Sequence, residues 1–95
     1  MMTKMKYEIK RTSKFKKDYK IIKKRKYNLK FFIEVLEVLE SGGKLAPKYK
    51  DHSLTGEYSG CRECHITPDW LLIYRLHEDK LILVLTRIGA HSDLF

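Results

Sequence analysis

The last third of the chain is a run of β-type segments, and this run limits the possible folds strongly. Three segments rich in branched and aromatic residues, CRECHI, WLLIYRL and KLILVLTRI, are separated only by a Thr67-Pro68-Asp69 turn and a short HEDK connection. Such segments, bounded by turn residues, predict consecutive antiparallel strands. We therefore expect a mainly antiparallel sheet in which the last two segments form a hairpin near the middle.

The first part of the chain predicts one more strand and a basic helix. Met5, Tyr7 and Ile9 alternate with polar residues, which is the period of a strand with one face on the core. Thr12 or Ser13 can cap the helix that follows. Apolar residues at helical spacing mark its buried face: Phe15, Tyr19 and Ile22.

A second helix has the clearest local pattern. Asn28 can cap it, and Gly42 and Gly43 end it. Its apolar stripe consists of Leu29, Phe32, Ile33, Leu36 and Leu39. Residues 44–60 show no sustained period and are predicted to form a long loop, a kind of segment that often carries function. The whole pattern predicts one α+β domain over residues 1–95, β-α-α-β-β-β, with two N-terminal helices packed on a mainly antiparallel four-stranded sheet.

The stretch from Cys61 to His65 spells Cys-x-x-Cys-His, the attachment sequence of c-type haem. In a strand, successive side chains point to opposite faces, so Cys61 and Cys64 cannot both hold one haem. The same geometry excludes a thiol redox pair and disfavours a zinc site built on both thiols. We expect Cys64 in the core beside Ile66, with Glu63 and His65 on the opposite face.

Positive charge is concentrated in the N-terminal third. Residues 1–30 contain 13 Lys or Arg and two acidic residues, whereas residues 31–95 contain 7 basic and 10 acidic residues. Such a cationic half attracts polyanions and indicates a nucleic-acid partner. The alternative is a solvated, Lys-rich helix face.

The sequence contains no apolar run long enough to cross a bilayer. The segment MMTKMKYEIK also lacks the apolar stretch of a signal peptide. We therefore expect a cytoplasmic protein with no membrane partner and with reduced thiols.

Five residues near element ends could support acid–base chemistry: His52, His65, Asp69, Arg87 and His91. A pair of imidazoles can supply a base and an acid at neutral pH. That combination suits RNA cleavage, in which the 2′-hydroxyl attacks the neighbouring phosphorus without a metal. A guanidinium would offset the charge that develops on the phosphoryl oxygens.

Each of these residues also has a structural interpretation. The histidines can be solvated, Asp69 can fix a turn, and Arg87 can pair with Glu63 or Asp93. The three histidines and Asp69 could in principle converge on a metal, but their spacing matches no compact zinc motif, so we expect no metal and no cofactor. His77 lies in a hairpin turn, and we assign it no role. Two aromatic residues, Trp70 and Tyr74, are expected in the core.

The stretches YKDHSLTGEYSGCRECHITPDWLLIYRL and LTRIGAHSDLF resemble the two signature blocks of YafQ-type toxins in the RelE superfamily of bacterial toxin-antitoxin systems. The resemblance extends from about Lys14 to Phe95. It implies a RelE-like fold and a metal-independent endoribonuclease that cuts messenger RNA in the ribosomal A site and is silenced by a cognate antitoxin. A gyrase-inhibitor-like, non-catalytic toxin on the same scaffold is the alternative.

The resemblance also implies residue roles. Asp69 and His91 become the leading base and acid candidates, His52 and His65 share proton transfer or phosphate binding, and Arg87 stabilises charge. Phe95 would stack on a base. The N-terminal helix departs from the family pattern in being richer in lysine, and the extra basic side chains would suit docking on the RNA of the 30S subunit, where backbone contacts position rather than specify. The candidates for these contacts are Lys14, Lys17, Lys20, Lys24 and Lys50.

Overall fold

A computed structural model describes residues 6–95, so Met5 of the predicted first strand lies outside the described residues. The elements in chain order are β1 (Glu8–Arg11), α1 (Ser13–Lys24), α2 (Leu29–Glu40), β2 (His52–Ser53), β3 (Arg62–Thr67), β4 (Trp70–His77), β5 (Ile82–Ala90) and α3 (His91–Leu94). Single turns of 3-10 helix occur at Pro47–Tyr49 and Gly56–Tyr58. The α+β fold predicted from the sequence is confirmed.

The sheet of the described chain has five strands in the order β1-β5-β4-β3-β2. β1 pairs with β5 in parallel, and the other pairs are antiparallel, so the β4–β5 hairpin lies near the middle as predicted. The predicted count of four strands is one too low, because β2 lies in the segment predicted as a loop. Two residues, His52 and Ser53, are too few to show a period of two in the sequence.

Both predicted helix caps are present. The Thr12 hydroxyl accepts a hydrogen bond from the Phe15 N–H, at 3.0 Å. The Asn28 side chain accepts one from the Lys30 N–H, at 3.1 Å. Each side chain satisfies a backbone donor that has no partner within the first turn of its helix.

The buried face of α2 differs from the predicted stripe at one position. Phe32, Val35 and Leu39 are buried, whereas Ile33 is 51% exposed. Ile33 lies about 100° around the helix from Phe32, at the margin of the face that contacts the sheet. The stripe therefore runs through Val35 in place of Ile33.

The sheet has a core on each face. The main core lies under α1 and α2 and includes Cys64, Trp70 and Tyr74. The second core is smaller and contains Cys61, Leu71, Ile73 and Leu94, with Leu54 and Tyr58 packed against it. The two thiols thus belong to opposite faces, as the alternation of a strand predicts. Burial raises the pKa of Cys64 to about 12, so this thiol stays protonated at neutral pH.

No helix among residues 6–95 is both long and apolar enough to cross a bilayer.

Candidate active site

The register of the sheet aligns several of the predicted site residues in one row. His52 lies opposite Glu63, Glu63 opposite Ile73, and Ile73 opposite Arg87. Cross-strand partners point to the same face, and Ile73 belongs to the second core, so this row lies on the face of that core. In the next row His65 lies opposite Leu71. The candidate site therefore lies on the face that carries the smaller core.

Two imidazoles meet one buried carboxylate at the β2 and β3 end of this face. The Nε2 atoms of His52 and His65 lie 3.5 Å and 3.6 Å from the same oxygen, Oε1 of Glu63. The Glu63 side chain is only 8% exposed, whereas that of His52 is about half exposed. We call these three residues the imidazole cluster.

Backbone carbonyls hold the other ring nitrogens of the cluster. His52 Nδ1 lies 2.7 Å from the Lys50 carbonyl oxygen, and His65 Nδ1 lies 3.3 Å from that of Pro68. A carbonyl only accepts, so each Nδ1 carries the hydrogen and each Nε2 is directed at the carboxylate. The contact between an Nε2 atom and Glu63 is attractive only when a proton lies between them. The cluster therefore gathers two imidazoles, a side chain suited to proton transfer at neutral pH, around one carboxylate.

A second group of side chains surrounds Arg87 on β5. The Arg87 Nη1 donates to the Tyr58 hydroxyl at 3.1 Å. The ring of Tyr58 meets that of Phe95 edge-on, with centroids 5.9 Å apart, and the Phe95 ring lies 5.2 Å from the His91 ring. Phe95 is 57% exposed, so part of its ring remains open to solvent. These four residues form what we call the arginine cluster.

Arg87 is also bound to an acidic residue of α1. Its Nε and Nη2 donate to the two carboxylate oxygens of Asp18, at 2.6 Å and 3.0 Å. This bidentate hydrogen bonding raises the pKa of Arg87 above its ordinary value, so the guanidinium stays charged throughout the physiological range. The prediction that Arg87 pairs with Glu63 or Asp93 is wrong. Asp93 instead accepts from Arg25 on the surface.

Asp69 belongs to neither cluster by direct contact. It is exposed in the turn between β3 and β4, one residue after Pro68, whose carbonyl lies beside His65. Its position is thus at the edge of the imidazole cluster. The structure joins His52 with His65, joins Arg87 with His91 and Phe95, and sets Asp69 beside the first pair.

Three residues of this site had no assigned role in the sequence: Asp18, Tyr58 and Glu63. The alternation of β3 places Glu63 on the same face as His65, which is a usable signal. Asp18 is the one acidic residue in a Lys-rich helix, and its position between Phe15 and Ile22 hints at burial. For Tyr58 the sequence offers no signal, because its position depends on how a loop folds back over the sheet.

The metal interpretation needs three or four converging ligands, drawn from His52, His65, His91 and Asp69. The described contacts divide these residues, since His91 belongs to the arginine cluster. Among residues 6–95, no three His, Cys, Asp or Glu side chains are arranged so that they could hold a metal ion.

A cavity of about 480 Å³ opens beside the imidazole cluster. Its walls come from α2, the first 3-10 helix and the end of β3, and they include Phe31, Tyr49, Lys50, His65 and Pro68. Lys50 is exposed and lines this cavity together with His65, so a cationic residue belongs to the same wall as one of the imidazoles. The four predicted RNA-binding lysines of α1 are exposed as well: Lys14, Lys17, Lys20 and Lys24.

Comparison with known proteins gives one consistent family. Residues 7–95 match the family model described as the bacterial toxin of a type II toxin-antitoxin system, YafQ. The mRNA interferase toxin YafQ of Escherichia coli K12 is 38% identical over 91 residues, which cover 93% of this chain and 95% of the relative.

Solved structures agree with the sequence comparison. The crystal structure of a metal-bound toxin from Helicobacter pylori has a TM-score of 0.86 and 44% identity, and covers 94% of this chain and 99% of that one. The toxin chain in the E. coli DinJ-YafQ toxin-antitoxin complex has a TM-score of 0.85 and 34% identity, with 95% and 98% of the two chains covered.

Proposed function

We propose, because this chain belongs to the YafQ family of toxins from bacterial type II toxin-antitoxin systems, that it is an endoribonuclease that cleaves messenger RNA on the ribosome. The similar E. coli protein is named an mRNA interferase toxin. The observation in this chain that carries the proposal is the imidazole cluster, in which His52 and His65 direct their Nε2 atoms at one buried carboxylate. Cleavage by general acid–base chemistry requires side chains of this kind, positioned together beside the substrate.

The reaction proposed is attack by the ribose 2′-oxygen on the adjacent phosphorus. A base removes the 2′-hydroxyl proton as the new oxygen–phosphorus bond forms, and an acid protonates the departing 5′-oxygen as its bond to phosphorus breaks. The products are a 2′,3′-cyclic phosphate and a 5′-hydroxyl. Asp69 and His91 are the leading candidates for base and acid, and His52 and His65 share proton transfer or phosphate binding. No metal takes part in these steps.

Arg87 and Phe95 act on the substrate without exchanging protons. The permanently charged guanidinium donates N–H groups to the phosphoryl oxygens, where negative charge grows in the transition state. The exposed part of the Phe95 ring stacks on a base of the messenger RNA. Stacking fixes the nucleotide beside His91, because the two rings are in contact.

The basic residues dock the toxin on the ribosome. The four lysines of α1 lie on the helix face opposite Phe15 and Ile22, where they can approach phosphates of the 30S ribosomal RNA in the decoding site. Lys50 lies on the other side of the site and contacts the messenger RNA strand beside His65. This substrate places the protein in the cytoplasm.

A cognate antitoxin is the protein partner. A toxin of the same family has been solved in complex with DinJ. The net positive charge of residues 1–30 favours a partner with an acidic, helix-rich tail, since complementary charge speeds association. Co-purification from the native operon with a small acidic protein is the expected result.

The experiment compares wild type, His91→Ala and Ser92→Ala on messenger RNA, both free and bound to translating ribosomes. Ser92 is the matched control, because it is the exposed neighbour of His91 in α3. We expect wild type and Ser92→Ala to cleave the ribosome-bound transcript and arrest growth on induction. His91→Ala should be folded and at least about 100-fold slower.

Equal cleavage by His91→Ala would remove this residue from the mechanism. If wild type bound ribosomes or RNA with a steep salt dependence but cleaved no transcript, the protein would instead be the non-catalytic toxin that shares this scaffold.

A further inference from the structure

The Arg87 guanidinium donates three hydrogen bonds to other side chains of the protein. Of its five N–H donors, one on Nε and one on Nη2 reach Asp18, and one on Nη1 reaches the Tyr58 hydroxyl. One N–H on each terminal nitrogen remains without a partner among residues 6–95. The Arg87 side chain is 18% exposed, so part of it is open to a ligand.

The backbone of β5 also fixes the Asp18 side chain. Its carboxylate also accepts a hydrogen bond from the Ile88 N–H at 3.2 Å. The Asp18 side chain is 11% exposed, and a carboxylate buried to this degree is costly unless it is paired. The acid and the guanidinium therefore hold each other in one arrangement.

Tyr58 is fixed by the loop between β2 and β3. Arg75 Nη2 donates to the Ser59 carbonyl at 3.0 Å and holds this loop against β4. Position 60 favours glycine because its φ is +91°, a backbone conformation that other residues rarely adopt. The loop thus places the Tyr58 hydroxyl at Arg87 while the ring contacts Phe95.

We propose that Asp18 and Tyr58 are positioning residues, which fix three guanidinium donors of Arg87 so that the remaining two are presented to the scissile phosphate. This inference rests on the proposed cleavage of RNA. Neither residue touches the reacting atoms, and both act through Arg87. Because a guanidinium donates to phosphate through two N–H groups at once, its orientation decides how well it meets the developing charge.

The pairing with Asp18 also changes how Arg87 substitutions are interpreted. Loss of the guanidinium leaves Asp18 as a buried carboxylate with a single backbone donor, so Arg87→Ala weakens the fold as well as the site. The informative variants are therefore those that release Arg87 while leaving it in place.

The kinetic test uses Asp18→Asn and Tyr58→Phe, with Asp93→Asn as the matched control. Asp93 also pairs with an arginine of the α1 region, but this pair is exposed and does not involve Arg87. We expect each of the two positioning variants to lower kcat about 10-fold or more, with KM for ribosome-bound messenger RNA changed less than about 2-fold. Asp93→Asn should match wild type.

The same substitutions are then made in the Arg87→Gln background. If Asp18 and Tyr58 act through Arg87, neither substitution lowers kcat further there. An equal fractional loss in both backgrounds, or no loss in either, would overturn the proposal.

A second measurement does not depend on activity. Nitrogen-15 NMR of the arginine side chains should show a slowly exchanging Arg87 Nε–H in wild type, which Asp18→Asn makes fast. It should also show slow rotation of the Arg87 terminal nitrogens, which Tyr58→Phe accelerates. If Arg87 in the wild type exchanges and rotates as freely as exposed Arg25, the positioning role is refuted. If wild type is ordered in this way but cleaves no RNA, the proposed function fails and the positioning of Arg87 stands.

Discussion

Glu63 shows how far residue-level reasoning reaches from the sequence. The alternation of β3 predicts that Cys64 is buried and that Glu63 and His65 share the other face, and the structure agrees. The same alternation cannot show that His52 lies opposite Glu63, because that contact depends on a strand of two residues. The two imidazoles meet at one carboxylate because β2 pairs with β3. This pairing cannot be recognised from the sequence of either strand alone.

Replacement of Glu63 by Gln tests the imidazole cluster. The substitution preserves shape and removes the negative charge that both Nε2 atoms face. We expect a folded protein whose cleavage rate is about 10- to 100-fold lower, because the two imidazoles lose the carboxylate that they share.

Cleavage of ribosome-bound messenger RNA is the measurement, and Glu57→Gln is the control, since Glu57 is an exposed carboxylate in the neighbouring loop. A wild-type cleavage rate in Glu63→Gln would show that the imidazole cluster takes no part in the reaction.

The helices and the long strands are predictable because their signals are local. A helix cap and an apolar stripe are visible within a dozen residues, whereas β2 and α3 are too short to show any period. The attachment of α1 is a further feature that only the structure shows. β1 pairs with β5 only as far as Leu85. Beyond that residue, the Thr12 hydroxyl donates to the Thr86 carbonyl, and the Asp18 carboxylate accepts from the Ile88 N–H. This arrangement brings the basic helix to Arg87.

Thr12 carries two roles at this edge, so its replacement tests the attachment. Its hydroxyl donates to the Thr86 carbonyl at 2.7 Å and accepts from the Phe15 N–H. We expect Thr12→Ala to lower the free energy of unfolding by about 1 to 2 kcal/mol, measured by urea denaturation.

Thr55→Ala is the matched control, because Thr55 precedes a 3-10 turn without forming a side-chain cap. Its expected change is within about 0.5 kcal/mol. Equal losses in the two variants would show that the Thr12 hydroxyl contributes no specific attachment.

At the scale of the whole molecule, charge is the property that the sequence predicts best. The excess of Lys and Arg in residues 1–30 needs no structure to be recognised, and α1 presents much of it on one exposed face. The division of the site into two clusters could not be predicted. It depends on a loop folding over β4 until Tyr58 reaches β5, and on α3 returning the chain end to the same place.

Docking through α1 predicts a strong salt dependence of ribosome binding. Replacing Lys14, Lys17, Lys20 and Lys24 by Gln should reduce the slope of log affinity against log salt by about 3, since each phosphate contact contributes roughly 0.7 to 0.9. The control replaces four other exposed lysines by Gln: Lys6, Lys10, Lys44 and Lys80. Equal slopes for the two variants would contradict docking through α1.

The chemistry of the cut ends tests the central claim most directly. Transcripts cleaved on ribosomes by the wild-type protein can be mapped for their terminal groups by ligation and phosphatase sensitivity. Attack by the 2′-oxygen under general acid–base catalysis predicts a 2′,3′-cyclic phosphate on one fragment and a 5′-hydroxyl on the other. Neither fragment should form at a comparable rate with His91→Ala. Fragments that carry a 3′-hydroxyl and a 5′-phosphate would mean that water attacks the phosphorus, and would contradict the account.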